Sequence, residues 1–434
     1  MRKIVKNTLK YFGLLSFVKR IAGYKSPENI DFKKLEEIQE HLIRKSQKKD
    51  KLTVVFFLYF SSTWKYDKIY KLMQNDKNFE PIIIIIPMSI WDQDTMVKEM
   101  QKTYKWFNER NYTVIKSYDE KLNIFLDVDK NISPDIVFYS EPYDNATIVQ
   151  YRSSTWYKKA LLCYSVYGFN MALESKHLYN LYFHNILWKI FAETLFSKQE
   201  SRKYAYNKGK NVVFTGAPAC DIYIDNTYSP LDVWNNTKKK RVIYSPHYYT
   251  IDSTDDGWAT FSKNHQIMIE IVKKFENSIY FIFKPHPYLK NTLYNHNQWG
   301  KKKTDEYYAK WENMSNSHIA LDDYANLFLT SDALIHDSGS FTFEYIYTKK
   351  PSMFLYKDSN MNKRWNSNAM SALDVLYPGH NKDDIVSFLN DVIIAGNDTL
   401  KNKRLFFLKE NLLPANGESA SVNIFEIIKK ELNK

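Results

Sequence analysis

Cysteine is scarce in this sequence. Its 434 residues hold two, Cys163 and Cys220, far apart and with no second ligand at a metal-like spacing. That count excludes a disulfide framework and a cysteine-based zinc site, and it suits a reducing compartment. Glycine is scarce too, at 11 residues, which excludes collagen-like and Gly-rich low-complexity chains. Long apolar runs are missing. The strongest near the start, Tyr11–Val18, is broken by Gly13 and Ser16 and falls well short of the roughly 20 residues a membrane-spanning helix needs. Arg2, Lys3, Lys6 and Lys10 precede it as they would in a secretory signal, but Lys19 and Arg20 stand where small residues should mark a cleavage site.

What is present describes a globular chain. Hydrophobic residues make up 44%, charged residues 25% and aromatics 16%, and the length suits two or three domains. The net charge of +12 is unevenly placed, with 13 basic against 6 acidic residues in positions 1–50 and a nearly balanced remainder. A basic front end on a neutral body does not describe a nucleic-acid binder, and no nucleic-acid partner is expected. Residues 1–25 carry seven basic residues and no acidic one, with Ile4, Val5, Leu9, Phe12, Leu15, Val18 and Ile21 spaced as one helix face. Such a helix can lie on an anionic membrane surface, which would place the chain peripherally on the cytoplasmic face. The same pattern also fits a solvated helix packed on the body.

After a polar helical stretch at 29–49, short apolar runs alternate with helical segments. Val54–Phe60, Pro81–Ile86, Thr113–Ile115, Asp135–Tyr139, Leu161–Tyr164 and Val212–Thr215 form one series. Arg241–Ser245, Ile279–Lys284, Ala333–His336 and Ser352–Tyr356 form a second, beyond a polar stretch at 225–240. This alternation predicts parallel sheets covered on both faces, hence an α/β chain of two Rossmann-like domains. The expected boundaries are a basic helical extension at 1–50, an N-terminal domain at 51–225 and a C-terminal domain at 240–434. Ligands of open α/β sheets bind off the carboxyl ends of strands, so the expected site is a cleft between two facing sheets.

Three loops at strand ends of the second series carry the chemistry. Pro246-His247-Tyr248-Tyr249 follows the first, Lys284-Pro285-His286-Pro287 the second and His336-Asp337-Ser338-Gly339-Ser340 the third. The last opens a helix, whose free N–H groups, with the hydroxyls of Ser338 and Ser340 and a close approach at Gly339, suit a phosphate. Asp-Ser-Gly-Ser is equally an ordinary helix cap. His286, fixed between two prolines, can donate to a diphosphate or balance charge on a leaving phosphate, with an unperturbed pKa near 6.5. His247 is placed similarly. Glu344, one turn into the helix, can accept from ribose hydroxyls or can simply favour the helix dipole. Together the loops predict a nucleotide-diphosphate ligand held by His247, His286, His336, Asp337, Ser338, Gly339, Ser340 and Glu344. No His/Asp/Glu cluster has metal-ligand spacing. A Mg²⁺ ion carried by the diphosphate is compatible with this set.

The stretch Ser331–Ser340, with Glu344 and Lys350-Pro351, resembles the C-terminal domain of the CDP-glycerol glycerophosphotransferases, the teichoic-acid primases and polymerases of GT-B fold. Lys284–Pro287 is similar to that family's His-Pro loop, and Thr215-Gly216-Ala217-Pro218 to its segment before the interdomain linker. The resemblance implies CDP-glycerol, or a related CDP-activated polyol, as donor and a lipid-linked or polysaccharide hydroxyl as acceptor, with CMP released. It implies donor-binding roles for His286, Ser338, Gly339, Ser340 and Glu344. The family's candidate base is a histidine in a Trp-His-Gly context, and the matching stretch here, Ser165–Asn170, has Tyr167 in its place. A Tyr of pKa near 10 is a poor base at neutral pH. Asp144, Glu141 and Asp67, all at expected strand ends of the first domain, are the substitutes, and Asp144 is preferred. Two other readings remain at this level: a GT-B glycosyltransferase using a nucleotide sugar in capsule or lipopolysaccharide synthesis, and a non-catalytic protein binding membranes or polyanions through its basic front end.

Overall fold

A computed structural model describes residues 26–166, 168–173, 176–235, 237–248, 258–321 and 324–434. The expected membrane-surface helix at 1–25 and the expected catalytic position Tyr167 lie outside the described residues. Among the described residues no helix is long and apolar enough to cross a membrane. The chain divides into two compact units, neither of which is continuous in sequence.

Unit 1 comprises residues 1–167, 175–219 and 413–434. Its strands are β1 (Leu52–Leu58), β2 (Phe79–Ile85), β3 (Val114–Lys116), β6 (Ile136–Tyr139), β7 (Leu161–Ser165), β8 (Lys189–Ala192) and β9 (Val212–Phe214), with a small antiparallel pair, β4 (Tyr118–Asp119) and β5 (Ile124–Phe125), set apart. The main sheet has the order β3-β2-β1-β6-β7-β8-β9 and is parallel throughout. Its central strands are apolar without interruption because both faces are buried. Along β1, Leu52, Val54, Phe56 and Leu58 face one core, while Val55 and Phe57 face the other. Phe56 pairs in register with Phe138 on β6, and the two rings stack with centroids 4.9 Å apart.

Two of the expected boundaries are corrected here. The helix Phe32–Gln47 belongs to unit 1 and not to a separate extension, because Leu35 and Leu42 are buried in its two cores. The last helix, Ala420–Leu432, leaves the C-terminal domain altogether and returns to unit 1. Ile424, Phe425, Ile428 and Leu432 recur on one face of that helix and complete the core behind β1 and β2, as an amphipathic period dictates. Lys429 fastens it to Asp76 at 2.8 Å.

Unit 2 comprises residues 168–174 and 220–412. Its strands are β10 (Lys240–Ser245), β11 (Ile279–Phe283), β12 (Ser317–Ile319), β13 (Ala333–His336), β14 (Ser352–Leu355) and β15 (Tyr377–Gly379), in the parallel order β12-β11-β10-β13-β14-β15. One face is sealed by aromatic side chains, with Phe283 stacked on Trp311 at 4.8 Å. In each sheet the strand order reverses once, between β1 and β6 in unit 1 and between β10 and β13 in unit 2. The carboxyl ends of strands at such a reversal are where doubly wound sheets open a crevice for ligands.

Candidate functional site

In unit 2 the three expected loops follow neighbouring strands. Ser245 at the end of β10 lies in register with His336 at the end of β13, and Tyr244 with Phe283 on β11. The loops after β10 and β11 meet ring to ring: His247 and His286 have centroids 4.9 Å apart, and Tyr248 lies 4.4 Å from His286. Trp258 closes on His247 at 5.2 Å. This apolar setting acts on both imidazoles. Burial, with the Lys284 ammonium second, pushes His286 down to about 4, and burial, with His286 second, pushes His247 down to about 3. The expected role of His286 as a positive charge is therefore corrected, because in this pocket the ring is neutral at physiological pH. The Tyr288 N–H donates to His286 Nδ1 at 3.1 Å, so the ring proton sits on Nε2, which is left to donate outward.

Asp337 does not face a ligand. Its fully buried carboxylate accepts the His247 N–H at 2.6 Å, the Thr260 N–H at 2.5 Å and the Thr260 hydroxyl at 2.8 Å. It braces the His247 loop and the start of the helix Phe261–Lys274 against β13, so its expected place among the ligand-binding residues is corrected to a positioning one.

The helix Gly339–Ile346 begins with Ser338 as its capping residue, yet no side chain hydrogen-bonds its first-turn N–H groups. A helix start so placed presents backbone donors to an anion. Ser338, Gly339 and Ser340 are all half-buried there. What approaches Gly339 is Met171 of the 168–173 segment, whose sulfur would lie 3.5 Å from a Cβ at that position. Gly168 comes closer still, since a Cβ on it would meet Ser340 Oγ at 3.1 Å. The family's histidine-bearing segment thus has its counterpart against the serine loop, within unit 2. Phe169 anchors it by stacking on Phe343 at 4.9 Å.

His336 is wholly buried, held down to about 3 by desolvation, and its Nε2 has no protein partner. Glu344 is buried and accepts a hydrogen bond from Tyr324 at 2.8 Å. Desolvation raises its carboxyl to about 7 despite that bond. A native value above the unfolded one means that Glu344 supports folding below pH 4.5 and that this support is lost as pH rises through about 7. Glu344→Gln should therefore melt higher relative to the wild type at pH 8 than at pH 5, as paired thermal melts at the two pH values would show.

In unit 1 the preferred base, Asp144, has both oxygens in use. They accept the Ser153 N–H at 2.7 Å and the Ser153 hydroxyl at 2.6 Å, so the carboxylate braces a loop and the start of a short helix. Asp67 is tied to Lys71 at 2.8 Å and to the Tyr112 hydroxyl. A different group occupies the carboxyl edge of the sheet. Lys65 follows β1, Glu141 follows β6 and Glu193 follows β8, and the lysine interacts electrostatically with both acids. Sequence reasoning weighed Glu141 but missed Glu193, because β8 itself was not recognised. Among the described residues no cluster of three or more His, Cys, Asp or Glu side chains is arranged to hold a metal ion.

The sequence model of the CDP-glycerol:poly(glycerophosphate) glycerophosphotransferases matches residues 177–428, more than half of the chain. The chain belongs to that family. It is an enzyme of the glycerophosphotransferase type, with two Rossmann-like α/β units in the GT-B class. Among solved structures it is similar to a variant of the wall teichoic acid polymerase TagF, with a TM-score of 0.57 at 15% identity over 93% of this chain and 97% of that one. A UDP-N-acetylglucosamine 2-epimerase from Neisseria meningitidis, bound to UDP-GlcNAc, gives 0.53 at 14% identity over 88% and 100%. One from Methanocaldococcus jannaschii gives 0.52 at 14% over 88% and 99%. At these identities the likeness is one of fold. No curated protein sequence matches. The stretch matched to the glycerophosphotransferases contains every candidate ligand residue of unit 2, and Glu193 of unit 1, whereas Lys65, Glu141, Asp144 and Tyr167 precede it.

Proposed function

We propose that this glycerophosphotransferase moves glycerol phosphate, or a related polyol phosphate, from a CDP-activated donor to a hydroxyl of a lipid-linked or polysaccharide acceptor and releases CMP. The observation that carries the reading is the meeting of His247, His286 and the His336–Ser340 loop at three adjacent strand ends where the unit 2 sheet reverses its order. In this reading the uncapped start of the helix Gly339–Ile346 and the Nε2–H of His286 hold the diphosphate. The acceptor oxygen forms a bond to the β-phosphorus, the bond from that phosphorus to the bridging oxygen breaks, and CMP leaves with the electron pair. Donors fixed in a half-buried pocket favour that leaving charge because they need no reorganisation as it develops. The basic segment 1–25 would hold the enzyme to anionic lipid on the cytoplasmic face, near such an acceptor.

The test is to incubate the full chain with CDP-glycerol, CDP-ribitol, UDP-GlcNAc or a GDP-sugar together with a short poly(glycerol phosphate) oligomer. CMP release and a mass gain of one polyol phosphate with a CDP-polyol are expected. Turnover of a sugar nucleotide alone would overturn the reading in favour of a glycosyltransferase.

A further inference from the structure

The carboxyl edge of the unit 1 sheet holds a polar pocket that the donor chemistry of unit 2 leaves unused. We propose that Glu193, together with Lys65, Glu141, Ser140 and Ser165, forms the acceptor subsite, and that Glu193 takes the proton of the attacking hydroxyl. This rests on the transferase reading above and adds to it the residue that replaces the missing histidine base and the kind of group it receives.

The first support is position. Lys65 follows β1 and Ser140 and Glu141 follow β6, the two strands between which the sheet order reverses. Ser165 ends β7 and Glu193 follows β8, the next strands along the same edge. This is the crevice position of a doubly wound sheet, and it is the edge from which each side chain is reached by one step beyond a strand.

The second is a set of buried atoms without partners. Ser140 Oγ, Ser165 Oγ and Glu193 Oε2 are each buried and have no protein hydrogen bond, although their residues are 2%, 0% and 3% exposed. Native interiors leave few such atoms, and three at adjacent strand ends call for a hydrogen-bonding occupant. Glu193 is oriented for one. Ser197, in the first turn of the helix Leu195–Tyr204, donates its hydroxyl to Oε1, and Oε2 is the oxygen left over.

The third is charge. Lys65 is buried, donates to the Ser140 carbonyl at 2.6 Å and lies 5.0 Å from the Tyr164 ring centroid. Burial lowers its pKa, against the opposing pull of Glu141 and Glu193. Burial also raises Glu141, and it raises Glu193 to about 7. One cation between two acids that take up protons readily is close to neutral overall. Such a pocket suits the hydroxyls of a polyol or sugar, and it offers a phosphate little. A carboxyl poised near the working pH is also the best compromise for a general base. The balanced step runs from the acceptor O–H to Glu193 Oε2: the proton passes to the carboxylate, the oxygen bonds to the β-phosphorus, and CMP departs with the electrons of the broken P–O bond. Solvent then removes the proton from Glu193.

The test uses the full chain with CDP-glycerol and a poly(glycerol phosphate) oligomer, following acceptor-dependent CMP release, and equilibrium binding of CDP-glycerol alone. Glu193→Gln is expected to lower kcat by about 10²–10⁴-fold, the usual contribution of a general base, with donor Kd unchanged and the acid limb of kcat/KM near pH 7 lost. Lys65, Glu141, Tyr66 and Tyr164 face the same pocket and remain in that variant, so loss of the limb reports Glu193. Ser165→Ala, a smaller change, is expected to raise the acceptor KM by about 3–10-fold, as one lost hydrogen bond does, with kcat and donor Kd held. Wild-type turnover with the acid limb intact in Glu193→Gln, or an unchanged acceptor KM in Ser165→Ala, would overturn the subsite alone. A wild-type chain that turns over no CDP-polyol would overturn the transferase reading, and the subsite with it.

Discussion

Replacing His286 by Ala is expected to slow turnover of CDP-glycerol by about 10²–10³-fold, the loss that follows removal of one preorganised donor from a developing charge. The size of the effect depends on where the ring proton sits. Tyr288 donates its N–H to Nδ1 at 3.1 Å, so Nε2 carries the hydrogen and the ring cannot turn over without breaking that bond. His286→Gln, which can offer an amide N–H from nearly the same place, should recover part of the loss. The pH dependence separates donation from charge. With its pKa pushed down to about 4, the free protein's His286 is neutral from pH 5.5 to 8, and the deficit of the Ala variant in kcat/KM should be constant across that range. A cationic histidine would behave differently: wild-type kcat/KM would fall above pH 6.5, and the deficit would close. Circular dichroism of the variant should be unaltered, since the ring is only half-buried and lies in a loop.

Much of this arrangement was legible in the amino-acid sequence, and the portions that were not share a physical cause. Strands such as β1 and β11 announce themselves because both faces are buried and every side chain must be apolar, as in Leu-Thr-Val-Val-Phe-Phe-Leu and Ile-Tyr-Phe-Ile-Phe. Strands β12 and β15 do not, because Ser-His-Ile and Tyr-Pro-Gly lie at sheet edges, where pairing and not burial makes them strands. β8 is four residues long and opens on Lys189, so Glu193 beyond its end had no strand to mark it as a site residue. The three loops of unit 2 were found because histidines and serines after a clear strand are conspicuous. Direction was harder to read. Nothing in His-Asp-Ser-Gly-Ser tells which side chain turns inward, and Asp337 and His336 both do. The amphipathic period of the helix Ala420–Leu432 was visible, but its partner lies more than 300 residues upstream on the sheet of unit 1, and local pattern does not carry that information.

Asp337 supplies the second large effect, and it falls on stability before it falls on activity. Removing its carboxylate in Asp337→Ala leaves two backbone N–H groups and a threonine hydroxyl without acceptors in a fully buried place. At about 1–3 kcal/mol for each buried donor left unsatisfied, the variant should lose about 3–5 kcal/mol of unit 2 stability. Unfolding followed by circular dichroism in urea should show that loss as a lower midpoint. Asp337→Asn should lose less, because its carbonyl oxygen still accepts one N–H while its amide can donate to the Thr260 hydroxyl. The Thr260 N–H is then the orphan. The pH dependence has a definite sign. Burial raises the carboxyl and the three hydrogen bonds pull it back, with a net rise above the unfolded value of 3.8. A raised native value favours the fold below pH 3.8, and that contribution is lost as pH climbs through the native pKa. The deficit of Asp337→Asn relative to the wild type is therefore widest at acid pH and narrows toward neutrality, the reverse of what a salt-bridged aspartate would give. Because the His247 N–H hangs on this carboxylate, loosening it should also free the His247–Tyr248 loop, and CDP-glycerol affinity should fall in Asp337→Asn even where the protein is folded. An Asn variant with wild-type midpoint and wild-type donor affinity would remove Asp337 from the support of the site.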